Sequence, residues 1–130
     1  MTLQANNNEF INSALATLEL VHILTPENRA LIIQNAQYAL GIANVFSSLQ
    51  LAGILTQDNI NATIQNAQYA ELIANALHHL AEVGRLNQDS FDAVIQTPED
   101  ADNTVYELTL SGYPCSEFSH LLIGSSGPTG

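Results

Sequence analysis

The stretch LTPENRALIIQNAQYALGIANVFSSLQLAG, Leu24 to Gly53, is answered 31 residues further on by LTQDNINATIQNAQYAELIANALHHLAEVG, Leu55 to Gly84, and is begun again at Leu86 with LNQDSFDAVIQ. A unit this short cannot bury its own apolar face, so successive units must lie against one another. What such a chain presents to its surroundings is an extended surface rather than a deep pocket, and that directs attention to binding before catalysis.

The boundaries within the unit follow from capping chemistry. Thr25, Thr56 and Asn87 are equivalent, and each is a favoured helix N-cap; Pro26 follows at the first helical position, and Glu27, Asp58 and Asp89 meet the positive end of the helix dipole. Leu55 with Ile60 and Leu86 with Phe91 have the spacing of a hydrophobic staple, which the first copy breaks with Arg29. The short helices so begun end at Gln34, Gln65 and Gln96. Asn35, Asn66 and Thr97 then read as the N-caps of a second, longer helix in each unit, with Tyr38 and Tyr69 early in it; Pro98 repeats the pattern after Thr97.

The long helices carry a 3.6-residue stripe, Ile42, Phe46 and Leu49 in one and Ile73, Leu77 and Leu80 in the next, and Gly53 and Gly84 end them. Sliding the register back by one unit places Ile11, Leu15 and Leu18 on the first stripe, so the chain opens with a lone long helix. A last, weaker helix runs from about Glu99 to Leu110. The sequence predicts an all-α fold of stacked helix-turn-helix repeats, about seven helices in a repeat domain at 1–111, followed by an irregular C-terminal tail at 112–130.

Charge and composition narrow the function. Thirteen acids against two bases, Arg29 and Arg85, give a net charge of −11. Such a surface repels phosphate backbones and anionic lipid and attracts a protein with a basic surface, so neither nucleic acid nor membrane is an expected partner. No apolar run approaches the roughly 18 residues of a membrane span, and MTLQANNNEF lacks the features of a classical export leader. Lysine is absent. That is either drift in a small acidic protein or the mark of a chain that offers no ε-amine to ubiquitin-conjugating or transamidating enzymes.

The residues that carry chemistry elsewhere are poorly arranged for it here. His78 and His79 are helix neighbours about 100° apart and cannot chelate one ion as an i, i+4 pair would. Asp100, Asp102 and Asn103 resemble a calcium loop, but Val105 stands where its glycine is required and Ser111 where its glutamate is. A single cysteine excludes an intramolecular disulfide. The remaining enzymatic reading is a thiol nucleophile, Cys115, with His120 as its base. The sequence supplies no oxyanion site for that pair, so the expectation is no enzyme, no metal and no cofactor.

Two surfaces stand out instead as partner-binding candidates. Asp89, Asp92, Glu99, Asp100, Asp102 and Glu107 form an acidic run with no base among them, either a solvated face or a recognition site for a basic patch. In the tail, Tyr113, Phe118, Leu121 and Leu122 form an apolar set that either folds back on the last repeat, enters a partner's groove, or belongs to a secretion signal. A homodimer is expected to cover the first helix, which offers Phe10, Ile11 and Leu15.

The phrases ILTQDNINATIQ and RLNQDSFDAVIQ, joined to a helix of NAQYAELIANALHHLAEVG type, resemble the LTQENFDAVIQ-like helical repeat of effector proteins from intracellular bacteria. The likeness spans Thr25 to Gln96. It implies residence in the bacterial cytoplasm and then delivery into the host cytosol by a type IV secretion system. Such effectors include small acidic proteins that bind and inhibit other effectors, among them ubiquitin-deamidating and transglutaminating enzymes. By that resemblance the chain is a non-catalytic regulator of another effector enzyme. The rival expectation is an adaptor or structural repeat module that binds a host protein.

Overall fold

A computed structural model describes the backbone of residues 2–110 and the side chains of residues 8–109; the expectations placed on Tyr113, Cys115, Phe118, His120, Leu121 and Leu122 lie outside the described residues. Among the described residues the protein is all-helical. Its α-helices are α1 (Thr2–Leu20), α2 (Pro26–Gln34), α3 (Ala39–Leu51), α4 (Gln57–Gln65), α5 (Ala70–Glu82), α6 (Gln88–Gln96) and α7 (Ala101–Leu110). Short 3₁₀ turns at Ala36–Tyr38, Ala67–Tyr69 and Pro98–Asp100 join each short helix to the long one after it. The short helices begin at 26, 57 and 88 and the 3₁₀ turns at 36, 67 and 98, the 31-residue spacing of the sequence.

The short helices start as their caps dictate. The Thr25 and Thr56 hydroxyls accept from the Asn28 and Asn59 amides at 3.1 and 3.2 Å, and Asn87 forms a reciprocal capping box with Ser90. Asn28 and Asn59 then do something further: their buried side-chain amides donate to the Ile23 and Ile54 carbonyls at 2.9 and 2.7 Å, hooking each short helix to the end of the preceding long one. Asn59 also exchanges two hydrogen bonds with Gln88, at 2.9 and 3.0 Å, which ties α4 to α6.

Asn35 and Asn66 are not N-caps. Their backbones, at φ −118°, ψ 45° and φ −117°, ψ 33°, lack the extended geometry that turns a cap side chain toward the following amides. Instead each side chain donates back, to the Leu31 and Ala62 carbonyls at 2.9 Å, and closes the short helix. Thr97 likewise makes no cap; its hydroxyl lies 3.3 Å from that of Thr104. Tyr38 and Tyr69 consequently complete the 3₁₀ turns rather than lying inside the long helices.

Long helices end in a shared motif. After α3, Gly53 adopts φ 77° and donates to the Gln50 carbonyl while Ile54 donates to that of Leu49; Gly84, at φ 74°, and Arg85 repeat the pattern on Ala81 and Leu80. This is the Schellman arrangement, which needs a left-handed residue after the helix. After α1 the same two bonds run from His22 and Ile23 to Glu19 and Leu18, but the left-handed position, at φ 65°, is occupied by His22.

The long helices pack in a row, α1 on α3, α3 on α5 and α5 on α7. At the α3–α5 crossing Gly41 is required sterically, because a Cβ there would lie 2.8 Å from the Glu71 backbone nitrogen. Two apolar clusters result. One joins Ala14 and Leu18 of α1 to Ile42 and Phe46 of α3, and the other joins Val45 and Leu49 of α3 to Ile73, Leu77 and Leu80 of α5 and Val105 and Leu108 of α7. Each receives buried side chains from the short helix of the following unit, Ile60 in the first and Phe91 with Val94 in the second.

His22→Gly is expected to stabilise the fold by about 0.5–1 kcal/mol, the left-handed penalty less the extra chain entropy of glycine. Gly41→Ala is expected to cost about 1–3 kcal/mol by forcing α3 from α5. Urea unfolding followed by circular dichroism should move the two midpoints in opposite directions; a His22→Gly midpoint at or below that of the parent would reject the strain argument.

Candidate functional site

All six acids of the expected partner-binding run are exposed, but the fold divides them. Asp89 and Asp92 lie on α6, where Gln88 donates to Asp92 at 2.8 Å; Glu99 and Asp100 lie in the last 3₁₀ turn, and Asp102 and Glu107 on α7. Asp102 and Glu107 are five positions apart on the helix, which turns them about 140° from each other. Asp102 borders a groove with Asn75, His79 and Tyr106, whereas Glu107 does not.

Glu107 and Asp100 have a different role, visible in the repeat register. Residues one, two and three units before Glu107 are Ala76, Val45 and Ala14, all buried. Thr104 replaces the fully buried Ile42 and Ile73, and Asp100 replaces the half-buried Tyr38 and Tyr69. At the other end, exposed Asn8 stands where α3, α5 and α7 have buried Ala39, Ala70 and Ala101, and exposed Asn12 where they have Ala43, Ala74 and Val105. Arg29, also exposed, takes the place of Ile60 and Phe91, the side chains that enter the preceding cluster. No long helix precedes α1 to receive it among the described residues. Among the described residues both ends of the row are thus polar where its interior is apolar.

Of the apolar face expected to join two copies, Ile11 and Leu15 are half-buried against the first cluster. Phe10 remains 41% exposed, at the rim of a groove of about 230 Å³ between α3 and α5.

That groove belongs to the outer face of the long helices, which apolar periodicity in the sequence does not mark. Equivalent positions on α1, α3, α5 and α7 place Glu9, Leu40, Glu71 and Asp102 in one row and Ser13, Asn44, Asn75 and Tyr106 in the next. Leu40, Asn44, Glu71 and Asn75 line the first groove, and Asn75 is shared with the second, of about 330 Å³, between α5 and α7. Glu9, Glu71 and Asp102 have no ion-pair partner among the described residues, and the Asn44 and Asn75 side chains make no hydrogen bond there. Neither arginine lines either groove. One signal was present in the sequence: asparagine, a poor helix former, recurs at 44 and 75 in the middle of two helices.

His78 makes a 3.2 Å contact with Glu82 on the same helix, with both side chains largely in water, and contributes little to stability. Among the described residues no group of three or more histidine, cysteine, aspartate or glutamate side chains is placed to hold a metal ion. No described helix is long and apolar enough to cross a membrane.

No protein-family model matches the chain, and no curated protein or solved structure matches it either.

If Glu107, Thr104 and Asp100 terminate the row, restoring the interior residues should create a sticky end. The triple variant Glu107→Val, Thr104→Ile, Asp100→Tyr is expected to self-associate in sedimentation velocity at concentrations where the parent does not. Unchanged sedimentation would mean that these positions do not face a missing neighbour.

Proposed function

We propose that this protein is a non-catalytic, acidic protein-binding module that regulates, by inhibition, another effector enzyme, and that it acts in the host cytosol after secretion. The observation that carries the binding reading is the outer face of the long helices, where carboxylates and amides without partners among the described residues stand beside exposed Leu40 and Tyr106. The polar ends of the described row need no partner to explain them, because polar side chains are stable in water. The apolar groups of the outer face gain by being covered.

The inhibitory part of the reading rests on the repeat resemblance and on the lysine-free sequence. A regulator bound beside an enzyme that conjugates through ε-amines offers that enzyme no side-chain amine to modify. An enzyme acting on ubiquitin fits this chemistry. The net charge of −11 calls for a basic rim on the partner and makes association faster at low salt.

Affinity capture with the full chain from bacterial and host lysates, with the retained proteins identified by mass spectrometry, tests the proposal. The expected result is an enzyme whose activity falls when the purified chain is added back. Cys115→Ala should leave both retention and inhibition intact. Loss of either, or an empty capture from both lysates, would overturn the reading.

A further inference from the structure

We infer that the outer face of the long helices binds an extended basic peptide segment, laid across α1, α3, α5 and α7 and read by the rows Glu9, Leu40, Glu71, Asp102 and Asn44, Asn75. This deepens the protein-binding reading above and rests on it. Packed helices lie about 8–10 Å apart, so the rows offer one recognition position at each such step. A chain in the polyproline II conformation advances about 9.3 Å over three residues and returns every third side chain to the same side. The two spacings match. Residues i, i+3, i+6 and i+9 of a bound segment then meet the four positions of the first row in turn.

The row dictates what those residues are. Carboxylates at Glu9, Glu71 and Asp102 call for lysine or arginine, and Leu40, 38% exposed, calls for an apolar side chain at the second position. Asn44 and Asn75 each hold a donor and an acceptor, the pair needed to bond a peptide group of the segment between its anchored side chains. Tyr106, 61% exposed beside Asp102, offers a ring to the stem or charge of the base there. A segment crossing the α5 ridge at Asn75 occupies both grooves at once.

The test is fluorescence anisotropy with the full chain and labelled KAPLAPRAPK or its reversed sequence, since the rows do not fix the direction of the segment. The control is KRKLAPAPAP, of identical composition. One spaced peptide is expected to bind at least tenfold more tightly than the control. Glu71→Gln and Asp102→Asn should each weaken it about fivefold, and Asn75→Ala about tenfold. Asp58→Asn, a neutralisation on α4 outside both grooves, should leave it unchanged, with circular dichroism verifying that each variant is folded.

Equal binding of spaced and control peptides, or an Asp58→Asn effect as large as that of Glu71→Gln, would reduce the interaction to net charge and overturn the inference. So would an enzyme captured from lysate whose retention ignores all three groove variants, although the regulatory reading would then survive. Register-dependent peptide binding without capture of any enzyme would sustain the inference and remove the regulatory reading.

Discussion

Insertion of apolar side chains from α4 and α6 between the long helices that precede them sets the geometry of the described residues. Nine residues are too few to hold an isolated helix in water, and α4 and α6 persist because Ile60 and Phe91 enter apolar clusters built by α1 with α3 and by α3 with α5. Burying side chains of that size contributes about 1.5–3 kcal/mol each, the largest single term available to so short an element. The Asn28 and Asn59 hooks fix the approach, since a buried amide that missed its carbonyl would cost about 1–3 kcal/mol. On α4, which carries both, Ile60 enters the first cluster and the Asn59 hook holds the start of the helix against Ile54.

The same constraint accounts for residues that look anomalous in the sequence. Arg29 interrupts an otherwise apolar position because, among the described residues, no long helix precedes α1 to receive a hydrophobe. Glu107 and Thr104 interrupt the stripe of α7 at positions that are buried in the preceding long helices. Read along the chain, the acids from Asp89 to Glu107 form one dense cluster; on the structure they are spread over α6, a 3₁₀ turn and α7, and Asp102 borders the groove between α5 and α7. Linear charge density and surface charge density differ here because a helix turns by 100° at every residue.

What the sequence made legible is what local chemistry dictates. The N-caps Thr25, Thr56 and Asn87, the stop at Gln96 and the left-handed glycines at 53 and 84 each follow from interactions within a few residues. The 3₁₀ turns did not follow, because asparagine suits either end of a helix and its choice at 35 and 66 depends on backbone angles that composition does not reveal. His22 was illegible for a related reason: only register with Gly53 marks it as left-handed, and its residue type argues otherwise. The outer face escaped because apolar periodicity identifies what is buried, whereas a binding surface consists of the positions that this pattern leaves over.

Such a surface works through register more than through strength. Exposed ion pairs contribute about 0–1 kcal/mol each and weaken as salt rises, so three carboxylates alone would hold any basic segment loosely and without discrimination. Discrimination comes from the interruption of the row at Leu40, since a base placed there would lose water and gain no counter-charge. The amides at 44 and 75 add to this, because they bond only to a backbone whose side chains are already in step. Long-range attraction from the net charge of −11 brings a basic partner to the face quickly. The spacing of the helices, itself set by Gly41 and the buried alanines at 39, 70 and 101, then determines which sequence stays.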